Sequence, residues 1–155
     1  MKKVTPFLWF NAEALEAAKF YVSTFRNSRI LEVRRDGKRV TGVTFSLDGL
    51  ELTAFNGGPL FPFTEAISLC VACKAQKEVD RLWKRLSKGG RKQRCGWLKD
   101  RYGLSWQIVP SVLAELLGDP HPERSERVWK AMLKMRKLDI EALRRAHGGS
   151  LHRRA

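Results

Sequence analysis

Residues 95–110 read CGWLKDRYGLSWQIVP, and this stretch decides the fold of the 155-residue chain. The run Asp100-Arg101-Tyr102-Gly103 is typical of a hairpin turn, because Asp and Gly accept turn conformations that most residues avoid. Leu104 to Val109 is apolar and stops at Pro110, which predicts a buried strand. Two short strands fit around Lys92 to Lys99. The stretch therefore predicts the last three strands of a sheet.

The segments before it complete a larger unit. Ala66 to Ala72 is a short apolar run that predicts a buried strand. Gln76 to Ser87 places apolar residues at helical spacing, and Gly89-Gly90 closes that predicted helix. The order is therefore strand, helix and three strands.

The first half of the chain has the same order. Val4 to Phe10 predicts a strand, and Asn11 to Phe25 predicts a helix with Asn11 as its N-cap. The next three predicted strands are Arg29 to Arg35, Arg39 to Leu47 and Leu50 to Phe55. One sheet with one helix cannot bury both its faces, so two such βαβββ modules are expected to pair. The predicted fold class is α+β, with two modules forming a curved mixed sheet around a cleft and with C-terminal helices.

The predicted domain organisation is a pair of modules, a helical extension and a flexible tail. These parts cover 1–110 (modules at about 1–56 and 65–110, linker 57–64), 111–147 and 148–155. Ser111 is expected to cap the first helix of the extension. Val128, Met132 and Met135 fall on one face of a later helix, and this face is expected to pack on the sheet or on a second subunit.

Composition narrows the class of protein. An apolar content of 43% suits one globular core, and no apolar run approaches the roughly 20 residues that span a membrane. Three cysteines without a secretory signal predict reduced thiols and a cytoplasmic location. Cys70 and Cys73 should point to opposite faces of a strand, so we expect no shared ion or disulfide. These two and Cys95 are expected to fill core space.

The basic charge is unevenly distributed. The net charge is +14, and 11 basic against 3 acidic residues give Lys74 to Arg101 a charge of +8. A solvated surface is the simpler interpretation, because no nucleic-acid motif accompanies the charge. Association with nucleic acid stays open as a second hypothesis.

Several segments carry a family resemblance: TPFLWF at 5–10, FNGGP at 55–59, FTEAIS at 63–68 and the block at 95–110. They resemble the vicinal-oxygen-chelate superfamily of glyoxalases, ring-cleaving dioxygenases and bleomycin-resistance proteins. More narrowly they resemble its PhnB-like branch, also labelled 3-demethylubiquinone methyltransferase-like. The resemblance implies paired βαβββ modules and a homodimer. Methyl transfer is not favoured, because neither Gly57-Gly58 nor Gly89-Gly90 leads from a strand into a helix, as nucleotide-like cofactors usually require. No cofactor is expected.

The resemblance also implies four positions for a divalent metal ion, normally His or Glu. In this sequence they fall on Pro6 (or Thr5), Asn56, Ala66 (or Glu65) and Gln107. At most one carboxylate remains, and the histidines, His121, His147 and His152, all follow the repeat. A neutral amide cannot replace a carboxylate's charge at a divalent ion, so no tightly bound catalytic metal is expected.

The ligand-binding candidates are polar or aromatic residues expected to face the cleft: Trp9, Phe10, Asn56, Ser68, Ser105 and Gln107. Strand alternation places Gln107 and Ser105 on one face. A mainly apolar pocket with few polar points suits a small organic molecule, although such groups can also satisfy one another. The leading hypothesis is a glyoxalase-like or bleomycin-resistance-like protein that binds a small organic molecule without the usual metal. Whether it catalyses a reaction stays open. The alternatives are a metal-dependent lyase or dioxygenase with a non-standard ligand set, and a basic protein that associates with nucleic acid.

Overall fold

The computed structural model describes residues 4–149, which fall into two compact units divided between Phe63 and Thr64. This boundary lies inside the predicted linker. Each unit contains one four-stranded mixed sheet with the same connectivity. The predicted α+β pair of βαβββ modules is confirmed, with each module building a hydrogen-bonded sheet of its own.

The N-terminal unit contains five elements: β1 (Phe7–Phe10), α1 (Ala14–Thr24), β2 (Arg29–Asp36), β3 (Arg39–Leu47) and β4 (Leu50–Asn56). The strand order is β1-β4-β3-β2, with β1 parallel to β4 and the other pairs antiparallel. One sheet face packs against α1, where the rings of Tyr21 and Phe45 stack 6.1 Å apart. Leu8 and Ala54 are paired across β1 and β4 and are buried on this face.

The start of α1 corrects the sequence prediction. Its N-cap position is Glu13, and Asn11 lies outside the helix. The first helical amide, Ala14 N–H, donates instead to Asn56 Oδ1 at 2.8 Å. The Asn56 Nδ2 group donates to the Val40 carbonyl at 3.1 Å. A side chain 42 residues away therefore caps the helix in place of Asn11, because any oriented acceptor can satisfy a free amide of the first turn.

The C-terminal unit repeats the module and adds three helices: β5 (Ser68–Cys73), α2 (Gln76–Leu86), β6 (Arg91–Lys92), β7 (Trp97–Lys99), β8 (Ser105–Pro110), α3 (Val112–Leu117), α4 (Pro122–Lys134) and α5 (Ile140–Gly148). The strand order is β5-β8-β7-β6, with β5 parallel to β8. Trp106 and Ile108 of β8 are buried on the α2 face. Alternation turns Gln107 to the other face.

The predicted hairpin turn is confirmed, and Asp100 holds it together. Its Oδ1 atom accepts from the Tyr102 and Leu104 amides at 2.8 and 3.2 Å. Its Oδ2 atom accepts from Trp106 Nε1 at 2.8 Å. Only 2% of Asp100 is exposed, so this carboxylate is a structural centre and not a surface charge.

The helical extension packs within the C-terminal unit. Its core is a cluster of six buried residues, Leu113, Leu116, Val128, Met132, Leu138 and Leu143, with Met135 packed against it. The face of α4 that carries Val128 and Met132 therefore packs mainly on α3 and α5. Ser111 makes no side-chain cap, and its hydroxyl donates to the Cys73 carbonyl at 3.2 Å.

Helix α5 ends one residue beyond the predicted helical extension. Helix α5 continues to Gly148, and His147 Nε2 lies 2.8 Å from Asp119 Oδ2. The remainder of the predicted tail, with His152, lies outside the described residues. None of the helices in the described part of the chain combines the length and apolar character that crossing a membrane requires.

Replacing Asn56 with Ala tests the cap that reaches α1 from β4. Asn56→Ala leaves Ala14 N–H and the Val40 carbonyl without their partner, and we expect it to lower the free energy of unfolding by about 2 kcal/mol. Urea denaturation followed by circular dichroism measures this change. The control is Asn11→Ala, expected to change the free energy of unfolding by less than about 0.5 kcal/mol. A larger loss of stability in Asn11→Ala than in Asn56→Ala would show that Asn11 is the cap.

Candidate functional site

The candidates of the N-terminal unit do not share one environment. Phe10 is 2% exposed on the α1 face and packs edge-on against Phe63, with ring centroids 5.1 Å apart. Both polar atoms of the Asn56 side chain hydrogen-bond to backbone groups. Trp9 points to the opposite face. Of the three, Trp9 alone has a position from which its ring could meet a ligand.

Trp9 belongs to an aromatic cluster on the face opposite α1. Its ring meets those of Phe55 and Phe61 edge-on at 5.1 and 5.0 Å, and its Nε1 atom donates to the Gly58 carbonyl at 2.9 Å. The ring lies against Gly57, where a Cβ atom would collide with it. This cluster offers apolar surface, since the one polar group of Trp9 is already bonded.

The candidates of the C-terminal unit lie together on one sheet face. We call this surface, opposite α2, the distal face. Strand register arranges it in two rows across β5, β8, β7 and β6: Ser68, Ser105, Lys99 and Arg91 in one row, and Cys70, Gln107, Trp97 and Gln93 in the other. The structure thus brings Ser68, Ser105 and Gln107 together.

Two hydrogen-bonded groups occupy the distal face. In the first, Gln107 Nε2 donates to Ser68 Oγ at 2.9 Å. In the second, Gln93 Nε2 and Lys99 Nζ both converge on Glu65 Oε1, each at 3.0 Å. Glu65 precedes β5, so its side chain reaches across to β6 and β7.

Two polar atoms of the distal face lack partners. Within the described residues, Ser105 Oγ and Gln93 Oε1 are buried and accept or donate no hydrogen bond. Ser105 is 0% exposed. A buried polar atom without a partner costs about 1–3 kcal/mol, and such atoms are rare in folded proteins. Each of the two atoms therefore marks a position at which a ligand or a water molecule can supply the missing hydrogen bond.

Sequence reasoning missed Gln93, Lys99 and Trp97 as site residues. All three lie in the basic stretch for which a solvated surface was the simpler interpretation. The signal was present in the hairpin itself: once Gln107 faces away from α2, antiparallel pairing places Trp97 beside it.

Glu65 is ionised at neutral pH. The hydrogen bond from Lys99 is the largest of several interactions that hold the pKa of the Glu65 carboxyl below its usual value, and the Gln93 amide adds to the effect. Its negative charge is therefore matched by the Lys99 ammonium.

Comparison with known proteins identifies the family of this chain. The sequence matches the family described as 3-demethylubiquinone-9 3-methyltransferase over residues 2–109. The chain belongs to this family. Its structure is similar to the PhnB protein from Bacillus cereus, with 33% identity and a TM-score of 0.66 over 70% of this chain and 99% of the other.

More distant structures share the fold alone. Protein PA1353 from Pseudomonas aeruginosa has 20% identity and a TM-score of 0.57, over 68% of this chain and 95% of the other. The fosfomycin resistance protein FosX from Listeria monocytogenes has 15% identity and a TM-score of 0.57, over 76% and 98%. None of the curated proteins matches the sequence. The predicted vicinal-oxygen-chelate superfamily is confirmed for this PhnB-like chain.

The four positions implied for a metal do not fit a divalent ion. Pro6 and Ala66 carry no side-chain donor, Asn56 has both polar atoms bonded to the backbone, and Gln107 donates to Ser68. Glu65 supplies a carboxylate, but an ammonium 3.0 Å away would repel a cation. Within the described residues no three His, Cys, Asp or Glu side chains form a metal-binding group.

Neither glycine pair forms a nucleotide-binding loop in this PhnB-like structure. Gly57 follows β4, and the next element is β5; Gly89-Gly90 lies between α2 and β6. A phosphate-binding turn needs the amide groups of a helix N-terminus directly after the glycines. The local structure therefore gives no support to the methyl transfer named in the family's description.

The cysteines differ in environment. The predicted opposite orientation of Cys70 and Cys73 is confirmed, and all three thiols are free. The prediction that all fill core space is wrong for Cys70, which is exposed on the distal face, because an outward position on an edge strand leaves it uncovered. Burial and, to a lesser extent, the charge of Glu78 raise the pKa of the Cys73 thiol to about 12.

Thiol labelling tests the orientation of β5. We expect Cys70 of the native protein to react faster than Cys73 with a thiol reagent such as iodoacetamide, because Cys73 is buried and almost fully protonated at neutral pH. Mass spectrometry of digested protein measures the labelling rate at each position. Cys70→Ser should remove the fast reaction and Cys73→Ser should leave it. Preferential labelling of Cys73 would show that β5 presents its other face.

Proposed function

We propose that this PhnB-like protein binds a small organic molecule on the distal face of its C-terminal sheet, without a catalytic metal. The observation that carries the proposal is the Ser105 hydroxyl, fully buried and without a hydrogen-bond partner among the described residues. It lies in register between Ser68 and Lys99, so it is part of a polar row.

The neighbouring side chains suit such a ligand. Gln107 is half-buried, and its hydrogen bond to Ser68 orients the amide. An oriented amide can present one acceptor and one further donor to a bound molecule. Trp97, the register partner of Gln107, supplies flat apolar surface beside these polar groups. A few fixed polar groups next to an aromatic side chain are typical of small-molecule sites.

Metal-dependent lyase or dioxygenase chemistry has less support. FosX from Listeria monocytogenes has been crystallised with Mn(II), but its 15% identity carries over the fold alone. In the present chain Lys99 neutralises the carboxylate nearest to a metal position. The proposal is therefore binding through neutral and cationic groups.

Partners and location are separate questions. The homodimer and the cytoplasmic location stay predictions. Phe7 and Phe61 are 61% and 59% exposed, which is compatible with a subunit contact near them. The basic segment favours anionic molecules in general, and no contact among the described residues singles out nucleic acid.

Replacing Ser105 with Ala tests whether the distal face binds a ligand or is a former site that no longer binds one. Removing an unpaired buried hydroxyl should raise the free energy of unfolding of the ligand-free protein by about 1 kcal/mol. The same change should weaken binding of hits from a thermal-shift panel of small organic acids, amides and alcohols by about tenfold. Isothermal titration calorimetry measures the affinity, and Gln107→Leu should weaken it similarly.

Ser23→Ala, on the exposed surface of α1 in the other unit, is the matched control and should leave the affinity unchanged. A panel without hits, or hits that Ser105→Ala and Gln107→Leu bind as well as the parent protein does, would contradict the proposal. Stoichiometric binding of Mn(II), Ni(II) or Zn(II) that Glu65→Ala abolishes would favour the metal-dependent alternative.

A further inference from the structure

Two donors of the distal face converge on one carboxylate oxygen. Lys99 Nζ and Gln93 Nε2 each lie 3.0 Å from Glu65 Oε1. An ammonium and an amide aimed at one point form a carboxylate-binding arrangement, because both place positive charge on the same oxygen. The chain fills this arrangement with a carboxylate of its own.

The Glu65 carboxylate is weakly held. It lies in a turn whose residues are exposed, and 49% of its side chain is accessible. Ion pairs at this level of exposure contribute little to stability, since water competes for both charges. A ligand carboxylate could therefore replace Glu65 at little cost. Lys99 is more enclosed, with 25% of its side chain exposed, and belongs to the rigid sheet.

The unpaired atoms define what else the ligand carries. The bond to Glu65 fixes the Gln93 amide, so Gln93 Oε1 is left as a buried acceptor beside the carboxylate position. It requires a donor on a carbon next to the ligand's carboxylate. A hydroxyl fits better than an ammonium, because the Lys99 charge would repel a second cation. The Ser105 hydroxyl, in the register partner of Lys99, makes no hydrogen bond to Glu65, so it is left to donate to the second oxygen of the ligand's carboxylate.

We propose that Lys99, Gln93 and Ser105 bind a 2-hydroxycarboxylate, and that Glu65 occupies the carboxylate position when no ligand is bound. This inference rests on the proposed function, because it names the class of molecule that the distal face takes. Trp97 lies in the same row as Gln93 and can contact an apolar group on the ligand. Ionised Glu65 thus acts as an internal competitor.

A matched set of three small molecules tests the proposed class of ligand. Mandelate carries the carboxylate, the hydroxyl and an aromatic group; phenylacetate lacks the hydroxyl, and mandelamide lacks the charge. We expect mandelate to bind about fivefold tighter than phenylacetate and about tenfold tighter than mandelamide, since one loses a buried hydrogen bond and the other a charged one. Titration followed by NMR of the backbone amides of 15N-labelled protein measures each affinity.

Four variants test the assigned roles. Lys99→Met should weaken mandelate binding at least about tenfold, and Gln93→Leu should abolish the preference over phenylacetate. Glu65→Gln should strengthen mandelate binding about threefold, because the competing charge is gone. Lys84→Gln removes an exposed cation of α2, on the other side of the sheet, and should change the affinity less than about twofold. Melting temperatures near that of the parent protein show that the variants are folded.

The outcomes separate this inference from the proposed function. If mandelamide binds as tightly as mandelate and Ser105→Ala still abolishes binding, the 2-hydroxycarboxylate assignment is wrong. The proposed function then still holds. Equal losses of mandelate affinity in Lys84→Gln and Lys99→Met also overturn it, because a general electrostatic attraction then explains the binding. Failure of every probe and of the wider panel contradicts both.

Discussion

The buried carboxylate of Asp100 is the constraint on which the distal face depends. By accepting two turn amides and the Trp106 indole N–H, it fixes both the path of the turn and the depth of β8. A slip of one residue would exchange the two faces of a strand. Lys99 would then no longer be the partner of Ser105, nor Trp97 that of Gln107. The Asp100 carboxylate thus sets the positions of Lys99, Ser105 and Gln107 on the distal face.

The two modules show how one topology supports different surfaces. In the N-terminal unit, the face opposite its helix carries Trp9 and Phe55 at one edge, and farther across the sheet Arg34 hydrogen-bonds to Thr44. In the C-terminal unit, the distal face carries serines, glutamines and a lysine. The amides at two positions implied for a metal have also diverged, since Asn56 caps a helix whereas Gln107 orients toward Ser68. The fold alone therefore says little about chemistry, which depends on the residues placed on it.

Local patterns were enough to predict the elements of the fold, and distant contacts were not. Arg39 to Leu47 was predicted with its observed bounds, because turn residues and alternation are local signals. The cap on α1 was misassigned because Asn11 is adjacent in sequence, whereas Asn56 becomes adjacent only through the pairing of β1 with β4. For the site, alternation correctly placed Ser105 with Gln107. It could not find the Glu65 contacts, since nothing in a sequence period reveals a side chain that crosses from a turn to β7.

Charge acts on this protein at two ranges, and only the shorter one can select a ligand. The excess of basic residues between Lys74 and Arg101 attracts every small anion, and salt screens that attraction beyond about 8–10 Å. The contacts of Lys99 and Gln93 at 3.0 Å are short-range and directional. A field concentrates anions near the unit, while the fixed donors distinguish a carboxylate from other anions by its shape. The exposed carboxylate of Glu65 adds only a weak competitor to this selection, so the choice of ligand depends on the donors themselves.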